Sequence, residues 1–136
     1  MANRWLFKTE PSAYSFQQLQ RDKRTVWDGV KNNLALKHLS GMKKGDLILV
    51  YHTGGEKAAV GIARAASGAY ADPSKKGPKL LVVDIEPVEV LSRPVTLAEM
   101  RGNSKLAKLD LLRLPRLSVM PVSEEQWKII EGMAGK

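Results

Sequence analysis

Asp46-Leu47-Ile48-Leu49-Val50-Tyr51-His52 is the stretch on which the fold turns. Its almost unbroken apolar run predicts a central strand covered on both faces. Thr53-Gly54-Gly55-Glu56 then reads as a hairpin turn and Ala58–Ala66 as the returning strand. Gly61, inside that strand, predicts a bulge or a close backbone approach. Working outward towards the N-terminus, Trp5, Phe7 and Thr9 alternate with Leu6 and Lys8. Arg4–Thr9 is therefore expected to be a first strand, ended by Glu10-Pro11. Thr25-Val26-Trp27 reads as a short strand before an Asp28-Gly29 turn. On the other side, Lys79–Leu91 reads as a long strand in which Pro87 marks a bulge or an edge.

Helix starts are written locally. Ser15…Gln18, Thr96…Glu99 and Ser123…Gln126 all have capping-box spacing. They predict a short helix to about Arg21, another ending near Gly102, and a terminal helix with Trp127, Ile130 and Met133 at helical spacing. Leu34, Leu36 and Leu39 make Lys31–Met42 partly helical, with Gly41 or Gly45 to close it. Ala71–Pro78 reads as a basic loop, and Leu114–Val122 as irregular and then extended between Pro115 and Pro121. Several strands wrapped by short helices predict a mixed α+β fold, a small β-barrel with flanking short helices. The 136 residues have room for one hydrophobic core, so one domain over the whole chain is expected.

Twenty-two Lys and Arg face 14 Asp and Glu, a formal charge of +8. A surplus of that size on a small domain attracts polyanions. A merely solvated surface has the same composition. The cations are dispersed rather than set beside an amphipathic apolar face, which argues against a membrane partner. No apolar run approaches the roughly 18–20 residues of a membrane span. The opening MANRWLFKTEPS lacks the pattern of a signal peptide, and the chain has no cysteine. A cytoplasmic address is the expectation. Disulfides, thiolate nucleophiles and thiolate metal sites are excluded.

Catalytic equipment is sparse. His38 and His52 are the two histidines, and no HExxH, GxSxG, P-loop or dinucleotide fingerprint occurs. No metal, cofactor or catalytic residue is therefore expected. His38 reads as a surface residue of a Lys- and Leu-rich helix. His52, at the end of the central strand, is placed to project into a cleft. Asp28 reads as a turn residue, and Glu10 as a strand-end group capping the Ser12–Ser15 region. Asp84 needs a partner if buried. Lys8 and Arg116 lie in apolar surroundings and need an ion pair with Glu10 or Asp84, or a ligand.

Four stretches carry a resemblance. Trp5-Leu6-Phe7-Lys8-Thr9-Glu10-Pro11 is similar to the opening W-L-x-K-S/T-E-P of the EVE domain family, a branch of the PUA-like superfamily. Trp27-Asp28-Gly29-Val30-Lys31-Asn32 resembles its W-D-G-V-R-N. Gly45-Asp46, Tyr51-His52-Thr53 and Gly61-Ile62-Ala63 follow its G-D, Y-H-S/T, G-I/V-A order. Pro115-Arg116-Leu117-Ser118-Val119 with Pro121 matches P-R-L-S-V-x-P. In register over about the whole chain, the four make a specific signal.

The resemblance implies a PUA-like β-barrel with a pocket for a single base, as in the related YTH domains, which read methylated adenine. A base outside its stack is held by aromatic faces and by hydrogen bonds to its edge. On this reading Trp27 is the stacking platform, worth on the order of 1–3 kcal/mol per base, and Tyr51 the second wall. Lys8, Thr9 and Asn32 serve the base edge, and the backbone at Gly29 and Val30 approaches closely. His52 and Thr53 line the rim, while Arg116 and Ser118 hold a phosphate or close the floor. Lys31, Lys75, Lys76 and Lys79 are candidate phosphate contacts. Lys31 stands where the family has Arg and loses its bidentate geometry.

Departures cluster beside that pocket. Asn33-Leu34-Ala35-Leu36 replaces an aromatic followed by Q-A-R, and Leu80 replaces a Trp. The base identity is accordingly not transferred. The leading expectation is a non-catalytic nucleic-acid-binding module, for DNA or RNA, that holds a modified base. The alternatives are an enzyme acting on a nucleotide-like ligand through His52 and a carboxylate, and a basic subunit that docks an acidic protein.

Overall fold

A computed structural model describes residues 3–72 and 80–135. The strands are β1 (Arg4–Thr9), β2 (Thr25–Trp27), β3 (Leu47–His52), β4 (Ala58–Ala65), β5 (Tyr70–Ala71), β6 (Leu81–Thr96) and β7 (Val119–Pro121). They form one sheet in the order β2-β6-β4-β3-β1-β7, with β5 on β6, curled into a half-barrel. β1 runs parallel to β3, and the other described pairs are antiparallel. β3 lies between β1 and β4, and Ile48 to His52 are each at most 3% exposed, His52 at 1%. Coverage on both faces is what the continuous apolar run demands.

A buried carboxylate closes the start of the strand. Asp46, just ahead of β3, is 3% exposed. Its carboxylate accepts from Trp5 Nε1 at 2.9 Å, from the Asn3 N–H at 3.1 Å and from the Lys43 N–H at 3.0 Å. Three donors offset the desolvation of a buried charge. They also pin the start of β1 to the start of β3.

Gly61 proves to be both a bulge and a close approach. Both ladders slip beside it, and a Cβ there would lie 2.5 Å from the Phe16 ring. β6 runs five residues past the expected end at Leu91. Its prolines explain the difference, because each sits where pairing with β4 is irregular. Pro87 meets Ala63 at a register shift, and Pro94 lies in the bulge between the Gly61–Val90 and Ala59–Val95 pairs. A proline at such a point removes no ladder hydrogen bond.

All three capping boxes form both of their hydrogen bonds, at α1 (Phe16–Asp22), α3 (Leu97–Arg101) and α5 (Glu124–Met133). α2 (Asn33–Ser40) is capped by Asn32, whose Oδ1 accepts from the Ala35 N–H at 3.0 Å. A 3₁₀ turn (Ser104–Leu106) and α4 (Asp110–Arg113) fill a stretch in which no element was expected. No described helix is long and apolar enough to cross a membrane.

Candidate nucleic-acid interface

Several of the predicted site residues lie at the carboxyl ends of β1 and β3. Pairing sets Lys8 beside Tyr51 and Thr9 beside His52, and successive residues of a strand point to opposite faces. Lys8 with Tyr51 therefore lies on one face of the sheet, Thr9 with His52 on the other. The single expected pocket resolves into three clefts at this end.

The first cleft, about 410 Å³, is lined by Thr9, Ala13, Tyr14, Trp27 and Asp28, among others. Trp27 is 8% exposed and packs its ring 5.2 Å from Phe7. Tyr14 stands 6.3 Å away at 84°, so the two rings make an aromatic corner. Thr9 Oγ1 donates to the Tyr14 carbonyl at 2.7 Å, and the Tyr14 hydroxyl donates to Asp22 at 2.8 Å. Burial, reinforced by Asp22, pushes the Tyr14 phenol above its usual range. The motif reading missed Tyr14, whose place before the Ser15 cap reads only as the apolar residue that often precedes a helix.

Gly29, at φ +77°, turns the chain after Asp28, with open space where a Cβ would stand. Val30 turns into the core at 4% exposed. Asn32 does not join the Trp27 cleft. It lines a second cleft of about 330 Å³ with Leu34, Leu114 and Arg116, and its Oδ1 is spent on capping α2. Ser118 gives its carbonyl to the Lys8 N–H at 3.0 Å. Lys31 and Arg116 are exposed, with no ion pair among the described residues. Lys75, Lys76 and Lys79 lie outside the described residues.

The third cleft, about 180 Å³, brings Lys8, Tyr51 and Thr53 together with Lys57, Arg101 and Pro115. Lys8 forms neither expected ion pair. Its ammonium donates to the Pro115 carbonyl at 2.6 Å, and burial lowers its pKa. Glu10 instead accepts from Ser12 and, at 3.3 Å, from Thr53 Oγ1. Gly54, at φ +76°, leaves the space, since a Cβ there would meet Glu10 Oε2 at 2.8 Å. Asp84 has its partners in Tyr70 and Arg24, at 2.6 and 3.0 Å, and these hold its carboxyl below the usual range.

His52 is not at the rim. Its Nε2 accepts from the buried Phe16 N–H at 3.0 Å, and Nδ1 lies 2.7 Å from Glu56 Oε1. This sets the neutral tautomer with its proton on Nδ1. A histidine with both nitrogens engaged inside the fold ties β3 to the start of α1. No group of three or more His, Asp or Glu suited to a metal occurs among the described residues.

A curled half-barrel with helices at its edges, open at the carboxyl ends of its parallel pair, is the PUA-like class of fold. A sequence profile of the EVE domain matches residues 3–133, and the chain belongs to the EVE domain family. It is similar to a Rhodopseudomonas palustris protein solved by NMR, with 38% identity, a TM-score of 0.93, and coverage of 98% of this chain and 94% of that one. Human thymocyte nuclear protein 1 is 26% identical over 100% of this chain and 76% of its own length. Its crystal structure in complex with DNA containing 5-methylcytosine matches with a TM-score of 0.90 and 27% identity, covering 99% of each chain.

Proposed function

We propose that this protein binds nucleic acid and holds one modified base in the Trp27 cleft, acting by binding rather than by bond-making. The aromatic corner of Trp27 and Tyr14 beside the Thr9 hydroxyl is the observation that carries the reading. An open cleft with an aromatic wall and a few polar groups suits a planar, apolar-faced ligand with a polar edge. The complex of the human relative with 5-methylcytosine DNA supports nucleic acid as the partner and a modified pyrimidine as the first base to try. Unpaired Lys31 and Arg116 at the same end supply charge for the phosphates. The internal engagement of His52 supports a binder over the His52-and-carboxylate enzyme.

The test is a binding screen of oligonucleotides that differ only in one base, cytosine against 5-methylcytosine and adenine against its methylated form, at two salt concentrations. A base pocket requires a preference that survives higher salt, because phosphate contacts weaken steeply with salt. Trp27→Leu, which keeps an apolar side chain against Phe7, is expected to erase that preference. Indifference to every modified base, with binding that vanishes as salt rises, overturns the proposal.

A further inference from the structure

The cleft behind Lys8 differs from the aromatic one in kind. Lys8, Lys57 and Arg101 all line it, and among the described residues no carboxylate does. Glu10 touches its edge through Thr53 and Gly54, but its oxygens are taken by Ser12 and Thr53. Tyr51 is 3% exposed, yet its hydroxyl has no hydrogen-bond partner among the described residues. The ring is buried while the hydroxyl, which lines the cleft, is left to solvent or a ligand.

Lys57 and Arg101 are exposed side chains on fixed backbone positions. Arg101 is the last residue of α3 and close enough to Tyr51 for its charge to act on the phenol. The one carboxylate of α3, Glu99, is committed to Arg93 at 2.6 Å, and Arg101 has no ion pair among the described residues. Lys57 sits at φ +47°, in the left-handed region that side chains rarely adopt, and its carbonyl accepts from the Leu97 N–H at 2.8 Å. Non-glycine residues held in that region mark positions the surrounding structure over-determines.

We propose that this cleft is an anion subsite that takes a phosphate of the bound strand, with Arg101 and Lys57 as its clamps and the Tyr51 hydroxyl as a hydrogen-bond donor. The proposal rests on the base-reading function and reassigns Lys8, Tyr51 and Thr53 from base to backbone. Two cations without an ion pair among the described residues and the Tyr51 hydroxyl can all donate into the cleft, which suits an oxyanion with acceptors on every side. Arg adds the two-pronged geometry suited to phosphate. Lys8 and Thr9 are neighbours on β1 that face opposite clefts, so the end of one strand separates base from phosphate.

The experiment titrates an oligonucleotide carrying one 5-methylcytosine, and its unmodified twin, over a series of salt concentrations. Arg101→Gln and Lys57→Gln are each expected to flatten the slope of log affinity against log salt by about 0.7–0.9. They weaken both oligonucleotides equally, leaving the base preference intact. Tyr51→Phe, which keeps the buried ring, loses affinity by about tenfold. Lys128→Gln, which removes the same charge from an exposed position of α5, is expected to reproduce neither the Tyr51 nor the Arg101 effect. A wild type that prefers the modified base while Arg101→Gln and Tyr51→Phe keep its affinity and slope overturns the subsite and leaves the base reading standing. Loss of preference rather than slope in these variants also overturns it, by placing the cleft within the base pocket. A wild type without base preference whose slope still flattens in Arg101→Gln sinks the base reading and keeps the phosphate site. Absence of binding to either oligonucleotide overturns both.

Discussion

The two ends of the β1–β3 pair are built to opposite specifications. At the amino end Asp46 is buried and each of its oxygens is used, by Asn3 on one side and by Trp5 and Lys43 on the other. At the carboxyl end the Tyr51 hydroxyl, Lys57 and Arg101 line a cleft with no side-chain partners among the described residues, and Trp27 and Tyr14 stand at the wall of another. The closed end spends its polar groups on the fold. The open end keeps several in reserve, at the strand ends where open α/β sheets place their ligands. His52 is the exception that locates the border, since it lies at the open end but is wholly consumed by Phe16 and Glu56.

Asp46→Ala is the strongest way to break this comparison. It leaves the Trp5 indole and two backbone N–H groups without an acceptor, which costs about 3 kcal/mol of stability. Urea unfolding measures that loss, and the folded fraction is expected to bind oligonucleotides as the wild type does. A variant that unfolds normally and fails to bind would erase the division between the ends. His52→Ala comes next, costing about 2 kcal/mol because the buried Phe16 N–H loses its acceptor. The outcome that restores a catalytic or rim role to His52 is unchanged stability with lost binding.

Thr9→Val is a smaller and more local change. It preserves shape and deletes the hydroxyl that donates to the Tyr14 carbonyl. The expected cost is about 1 kcal/mol in stability, with a several-fold loss of base preference as Tyr14 loosens. Fluorescence anisotropy with paired oligonucleotides reads the second effect. An unchanged preference would mean that Tyr14 does not form a wall of the base site.

What the sequence disclosed follows from the range of each interaction. β3, the strands beside it and the three capping boxes depend on neighbours within a few residues, and all are legible. The alternation along residues 5–9 already sets Lys8 and Thr9 on opposite faces, yet the motif reading joins them in one pocket. The same holds for Tyr51 and His52. Period two was the stronger rule there. Lys57 and Arg101 left no local trace, and Asp46 showed only as a motif residue, because their meaning comes from residues brought together by the sheet. Asp46 meets Trp5 across 41 positions and His52 meets Phe16 across 36. Asn32 was hidden differently, since an Asn before an apolar helical run is a cap as readily as a base contact, and here it caps.

Glu99 tests the smallest term, the positioning of α3. Its carboxylate receives Arg93 at 3.2 and 2.6 Å and closes the Thr96 capping box. The Arg93 guanidinium, with help from Thr96, lowers its pKa from the usual 4.5 to about 2. A depressed carboxyl pKa contributes stability that is present above about pH 4.5 and is lost as pH falls through 4.5 towards 2. Wild-type urea midpoints should therefore decline over that window, and those of Glu99→Gln should decline less. The pair is exposed, so added salt should shrink the difference. Because α3 ends on Arg101, the same acid window should loosen the cationic cleft while the Trp27 cleft, supported from α1 and β2, keeps its shape. Equal acid sensitivity of base preference and salt slope would mean that the two clefts are one cooperative site.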